Sequence, residues 1–341
     1  MSFRRCALAV ALVALAGAAV AVSAGARSQG TLTGAGATFP QPLIAQWQQK
    51  YKRDEINYNG IGSGGGIAAI TNRTVDFGAS DAPLTPDQFS ACKGCMQLPW
   101  VLSATSVMYN LDGVKNAIHL NGKAIAEIYL GKIANWNDAR IKRLNPGVSF
   151  PDRRITPVYR SDGSGTTYNF TDYLTSVNKE FKSKVGGPST TVNWPTGVGA
   201  RGSSGVAGVV TRTEGAIGYA DIAYALKNHV KFAAVQNKSG KWATPGLRSI
   251  RAAASADNKF SRTNELSIVN PPKGTKFQRA YPISTYSYVL LPLKTSKAAQ
   301  LKAFVTWAVT SGQQYGRKLI FEPVPQYVVT RAKTQLKRVK S

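Results

Sequence analysis

Apolar positions follow two periods along this chain, and the two periods alternate. In QPLIAQWQQKY, Leu43, Ile44, Trp47 and Tyr51 fall on one helical stripe, with Pro40 suited to the first turn. INYNGIG then reads as a strand, IAAITN as a short helix and VDFGASDAP as a further strand. MQLPWVL is strand-like. ITPVYRSDG predicts a strand that runs directly into a helix, SGTTYNFTDYLTSV, where Tyr168, Phe170, Tyr173 and Leu174 share a face. SYVLLPL reads as a buried strand and AAQLKAFVTWAVTSG as the helix after it. Strands and helices in alternation specify an α/β architecture. Gly186 to Gly205 and the polar stretch Ala252 to Gly274, with Pro271-Pro272, follow neither period and read as long surface loops.

Ahead of this pattern, Arg4 and Arg5 precede an uncharged stretch, Ala7 to Ala26, that closes on Ala24-Gly25-Ala26. A positive start, an apolar middle and a small-x-small end define a secretory leader, residues 1–26. The stretch is long enough for a membrane anchor. Its Ala, Gly and Val content makes insertion weak, which favours cleavage and a soluble, periplasmic or otherwise extracytoplasmic mature chain. Cys6 leaves with the leader. Cys92 and Cys95, in CKGC, then sit in an oxidising space and read as a small structural disulfide across a Gly-containing turn. A redox pair would start a helix, whereas this pair is followed by a strand.

At 341 residues and 43% hydrophobic, the chain is long enough for two domains. Its formal charge is +26, from 43 Lys and Arg against 17 Asp and Glu. These values exclude a disordered acidic tail, a disulfide-dense miniprotein and a polytopic membrane protein. Two His and three Cys supply neither a clustered metal site nor a His-based nucleophile relay, so no catalytic residue, metal or cofactor is expected. The basic residues are dispersed without a recognition-helix or zinc-finger pattern, and export removes nucleic acid as a partner. The terminal RAKTQLKRVKS reads as a solvated helix end. Asn72-Arg-Thr74 and Asn169-Phe-Thr171 match the glycosylation triplet, which is common by chance and is assigned no role.

Three segments share one design, with small residues and one or two hydroxyls followed by a helix: GAGATFP (Gly34 to Pro40), GIGSGGG (Gly60 to Gly66) and RSDGSGT (Arg160 to Thr166). A helix start carries free N–H donors and partial positive charge, so three of them could surround one small oxyanion. Each loop alone has a structural explanation as a turn or cap. Gly60, Gly62 and Gly65 also satisfy the dinucleotide-binding spacing, with Asp81 about twenty residues on, but the helix that follows is short and an exported protein has little access to such cofactors. Arg160 offers a planar fork of donors, and Asp162 can hold it in place. Asp81 would repel an anion unless that anion carries a proton to donate. Phosphate near neutral pH does and sulfate does not, so Asp81 could discriminate between them.

Loops of this kind in this order closely resemble the extracytoplasmic phosphate-binding proteins of ABC-type phosphate importers. The resemblance covers almost the whole mature chain: TLTGAGATFPQPLIAQW, NYNGIGSGGG, VDFGASDAPLT, LNGKAIAEIYLGKIANWND, PVYRSDGSGTTYNFTDYL, VNWPTGVGARGSSGV and GAIGYADIAYA, in order. It implies an α/β, two-lobe periplasmic-binding-protein-like fold of type II, with a hinge, an interlobe cleft and one dehydrated phosphate between the lobes. Carried over by motif, the first lobe would supply Thr38, the backbone N–H of Phe39, Ser63 and Asp81. The second would supply Arg160, Ser164, Gly165 and Thr166, with Asp162 bracing Arg160. Lobe 1 would comprise residues 27–101 and 282–341, and lobe 2 residues 102–281. The implied partners are inorganic phosphate and the membrane permease subunits of the importer, with the protein itself a monomer. Rival readings are an extracellular phosphatase and a binding protein for another oxyanion. The chain departs from the family at Gly64, often a second serine there, and in CKGC and the stretch Ala252 to Arg279.

Overall fold

The computed structural model describes residues 30–114 and 117–341, so the expected leader lies outside the described residues. Strands β1 (Thr31–Gly36), β2 (Glu55–Gly60) and β3 (Phe77–Ser80) are parallel and lie in the order β2-β1-β3. Helices Gln41–Lys50 and Ser63–Thr71 make the crossovers between them. The chain continues through β4 (Cys95–Tyr109), β5 (His119–Leu120), β6 (Thr156–Arg160), β7 (Val198–Ala200) and β8 (Ala216–Asp221). It then forms β9 (Lys231–Phe232), β10 (Ala234–Gln236), β11 (Trp242–Ala243) and β12 (Ser284–Pro292). The main sheet runs β2-β1-β3-β12-β4-β8-β6-β7, with β9 also on β4, while β11-β10-β5 form a separate ribbon.

The organising element is β4. All fifteen of its residues are buried, as expected for a near-continuous apolar run covered on both faces. Cys95 to Ala104 pair antiparallel with β12, and Thr105 to Tyr109 pair antiparallel with β8. One strand therefore serves two half-sheets. Each half has its own aromatic packing: Trp47, Phe77, Trp100 and Phe304 meet largely edge to face in the first, with Trp47 and Trp100 5.1 Å apart. In the second, Phe170 stacks on Tyr219 at 4.2 Å beside Tyr129 and Trp194. Such pairs add about 0.5–1.5 kcal/mol each beyond burial of their area.

Helix Gln41–Lys50 buries Leu43, Ile44 and Trp47, and Tyr51 is buried just past its end. Pro40 sits at the cap and Pro42 occupies the first turn. In helix Gly165–Val177 the buried face holds Phe170, Tyr173 and Leu174, and Tyr168 lies at its flank, half-buried. The stretch 186–205 is not all loop: β7 pairs with the end of β6, and Gly202–Arg212 is a helix. Its glycines and serines hide both elements, because a three-residue edge strand and a helix start use the same residues as a turn. Ala252 to Ala254 complete helix Leu247–Ala254. Beyond them the segment is mostly irregular but buries Leu266 and Ile268. The C-terminal stretch is also less free than its charge suggests. After helix Gln326–Leu336, Val339 is buried and Lys340 bonds through its backbone to Leu293 and Thr295. Cys92 and Cys95 are joined in a disulfide, with Lys93 and Gly94 at positive φ between them, and Arg73 donates to both sulfurs. Among the described residues no helix is long and apolar enough to cross a membrane.

Candidate functional site

In an open parallel sheet, ligands meet the crevice beyond the carboxyl ends of the strands. Here β1, β2, β3 and β6 all end at the loops singled out by their glycines and hydroxyls. Gly36 closes β1 at φ +145°, and a Cβ there would lie 2.1 Å from Ala79 O, so only glycine lets the chain turn beside β3. Thr38 follows it. Ser63 is the first residue of its helix, Asp81 follows β3, and Arg160 ends β6.

The structure gathers these residues at one contact between the half-sheets. Ser63 Oγ accepts the N–H of Asp81 at 3.1 Å and the N–H of Gly165 at 3.0 Å. Gly64 N–H donates across to Gly163 O at 2.9 Å. Thr38 Oγ1 lies 2.8 Å from Ser203 Oγ and accepts the N–H of Ser203 at 3.2 Å. Arg160 Nη1 reaches the same Ser203 hydroxyl at 3.4 Å, and its Nε and Nη2 form a fork onto Asp162 at 2.7 and 2.5 Å. Ser164 caps helix Gly165–Val177 by accepting from Thr167 N–H, which leaves its own proton to donate elsewhere. The ring of Phe39 packs away from the cleft against Phe321, so only its backbone faces the question of binding. Thr38, Ser63, Asp81, Arg160, Ser164 and Thr166 are all at most 5% exposed.

The electrostatics divide the two carboxylates. Burial raises the Asp162 carboxyl, but the Arg160 hydrogen bonds and charge and the Gly202 N–H outweigh it and hold it below the usual range. Asp81 is pushed up to about 7 by burial, with Ser287, Arg160 and Thr166 pulling the other way. Ser287 Oγ donates to Asp81 Oδ1 at 2.6 Å. Since Asp162 already balances Arg160, the charge of Asp81 has no dedicated cation. The resulting cleft offers many donors and one acceptor, which is the chemistry of a protonated oxyanion.

Several participants escape a reading of the sequence. Ser203 opens a fourth glycine- and hydroxyl-rich helix start, RGSSGV, whose signal equals that of the other three. Tyr224 and Tyr58 donate to the carbonyls of Thr38 and Ala37, fixing the first loop from either side. Asn169, in one of the glycosylation triplets, is buried and bonds Asp81 O, Gly165 O and Thr285 Oγ1. Nothing local in the sequence marks the roles of Tyr58, Tyr224 and Asn169, because each depends on long-range contacts.

The fold and this cleft define a class: residues 21–311 match the PBP superfamily domain. The phosphate-binding protein PstS of Xylella fastidiosa is 43% identical, over 87% of this chain and 82% of that one. PstS of Pasteurella multocida is 37% identical over 90% of each, and PstS of Methanocaldococcus jannaschii 35% over 82% and 78%. A high-affinity periplasmic phosphate-binding protein solved with phosphate bound shares the fold at TM-score 0.73 and 20% identity, covering 89% of this chain and 93% of that one. This chain belongs to the PstS family of phosphate-binding proteins.

Proposed function

We propose that the protein binds inorganic phosphate outside the cytoplasmic membrane and delivers it to the permease subunits of an ABC importer. The observation that carries this reading is the pairing of Arg160, braced by Asp162, with a buried carboxylate, Asp81, across one dry cleft. The guanidinium, the hydroxyls of Thr38, Ser63, Ser164 and Thr166 and the N–H groups of Phe39 and Gly165 replace the ligand's water shell. Asp81 accepts a proton-bearing oxygen. Phosphate retains such a proton near neutral pH; sulfate would leave Asp81 facing an unprotonated oxygen, a mismatch worth roughly ten-thousand-fold in affinity.

In this reading the half-sheets are two lobes. Lobe 1 comes from both ends of the chain, residues 27–101 and 282–341, and lobe 2 is 102–281, so the first crossover, near 101–103, falls just before β4 changes partner between Ala104 and Thr105, and the chain returns near 281–283. Ligands drawn from both lobes make phosphate shift the equilibrium to the shut form, since only that form completes the hydrogen-bond set. The mature chain acts as an exported monomer after leader removal, and it binds rather than turns over phosphate. Titration calorimetry with inorganic phosphate and sulfate tests the reading. At pH 8, where Asp81 is mostly ionised, tight binding of phosphate with far weaker binding of sulfate is expected, and equal affinity would discard the reading. Turnover of a phosphate monoester that is abolished by Ser63→Ala would replace binding with catalysis.

A further inference from the structure

Register places Ser287 opposite Asp81. In the antiparallel β12–β3 pair, Tyr288 faces Ser80, so the preceding residue of β12 faces the residue after β3. A bulge falls at the same point of β12 on its other side. Ser287 pairs with Val101 and Tyr288 with Pro99, leaving Trp100 as an extra residue of β4. Pro99 lacks the N–H that a regular ladder would use, and bulges re-aim neighbouring side chains. The Ser287 hydroxyl is buried and has two acceptors within reach, Asp81 Oδ1 at 2.6 Å and Ser80 O at 3.5 Å. The shorter contact takes the proton, because a hydrogen bond at 3.5 Å is at the limit of usefulness.

We propose that Ser287 is a specificity-determining positioning residue: by donating to Oδ1 it keeps Asp81 an acceptor and leaves Oδ2 for the ligand's acidic hydroxyl. This rests on the phosphate reading above and deepens it. A carboxyl group in so dry a place would otherwise keep its proton and become a donor, and a donor accepts sulfate. Arg160 favours the carboxylate, Asp221, Tyr58 and Tyr224 couple to Asp81, and Tyr168, Asp172, Glu265 and Tyr288 line a pocket with it. Arg160 is shared with Asp162 and Thr166 acts on Asp81 from the opposite half-sheet, so Ser287 is the donor that Asp81 receives from its own half-sheet.

Sulfate is the clean reporter. Phosphate can bind with its proton on either partner, whereas sulfate binds only when Asp81 is protonated. The experiment measures sulfate and phosphate affinity of the full protein from pH 5.5 to 9 by calorimetry, for the unsubstituted chain and for Ser287→Ala, Ser287→Cys and Ser287→Thr. The cysteine is similar in size to serine but a weak donor, and threonine restores the hydroxyl. In the Ala and Cys variants the pH below which sulfate binds should rise by at least about one unit, a gain in sulfate affinity of roughly fivefold at pH 8 and roughly ninefold at pH 9. Threonine should return the profile to that of the unsubstituted protein. Sulfate profiles that superimpose, with phosphate binding retained, overturn the role of Ser287 alone. Failure of the unsubstituted protein to bind phosphate overturns the phosphate reading, and this inference with it.

Discussion

Gly165→Ala tests the closed cleft with a single methyl group. A Cβ at this position would lie 2.5 Å from Ser63 Oγ and 2.7 Å from both Cβ and N of Asp81. Ordinary contacts begin near 3.4 Å, so the overlap is close to an ångström against backbone that cannot step aside. Overpacking of this kind costs about 1–3 kcal/mol. In the proposed two-lobe reading that cost falls on the shut form, because Ser63 and Asp81 belong to the opposite half-sheet and would move away as the cleft opens. At a factor of ten per 1.4 kcal/mol, phosphate affinity should fall roughly 5- to 150-fold. Alanine is the better helix former, so the open form should lose no stability. Gly163→Ala is the control: it also faces the other half-sheet, but its Cβ would meet Gly64 Cα at 3.3 Å, a contact a small shift relieves. Calorimetric titration of both variants with phosphate, beside melting in its absence, makes the comparison. An affinity for Gly165→Ala within twofold of the unsubstituted protein would refute the interlobe geometry.

Arg160→Ala should weaken phosphate binding by two orders of magnitude or more, since the guanidinium of the cleft goes, while circular dichroism stays unchanged; retained affinity would remove the second lobe from the site. Asp81 gives a signed pH effect on the ligand-free protein. Its folded value is near 7, above the ordinary carboxyl value of about 3.9, so stability falls as pH rises from about 4 to about 7 and is level above. Asp81→Asn should abolish that slope, a difference of roughly 4 kcal/mol at most, and should melt higher than the parent at pH 8. Melting curves of the two proteins that run parallel from pH 4.5 to 8 would contradict it.

Much of the scaffold was legible because its signals are local. The stripe of Leu43, Ile44 and Trp47 announces a helix, and the glycines and hydroxyls before Ser63 and Thr166 announce helix starts, since both depend on residues within a few positions of each other. The partners of Asp81 were hidden for the opposite reason. Ser287 lies over two hundred positions away, and only the β12–β3 register brings the two together. Asn169 carries no assigned role in the sequence because the triplet shows the asparagine but not the helix face that buries it. Edge strand β7 was invisible because three residues with a single partner need no alternation. The periodicity groups Tyr168 with Phe170, Tyr173 and Leu174, whereas the helix buries the side carrying the last three and leaves Tyr168 half-buried at its flank.

The uninterrupted run of β4 also bears on how such proteins can be recombined. Cutting the chain at the partner change would strip one fragment of its central strand and expose bare sheet edges on both, an invitation to aggregation. Chimeras that trade a ligand-gripping half between relatives must therefore carry Cys95 to Tyr109 together with the strands paired to it, β12, β8 and β9, as one inherited block.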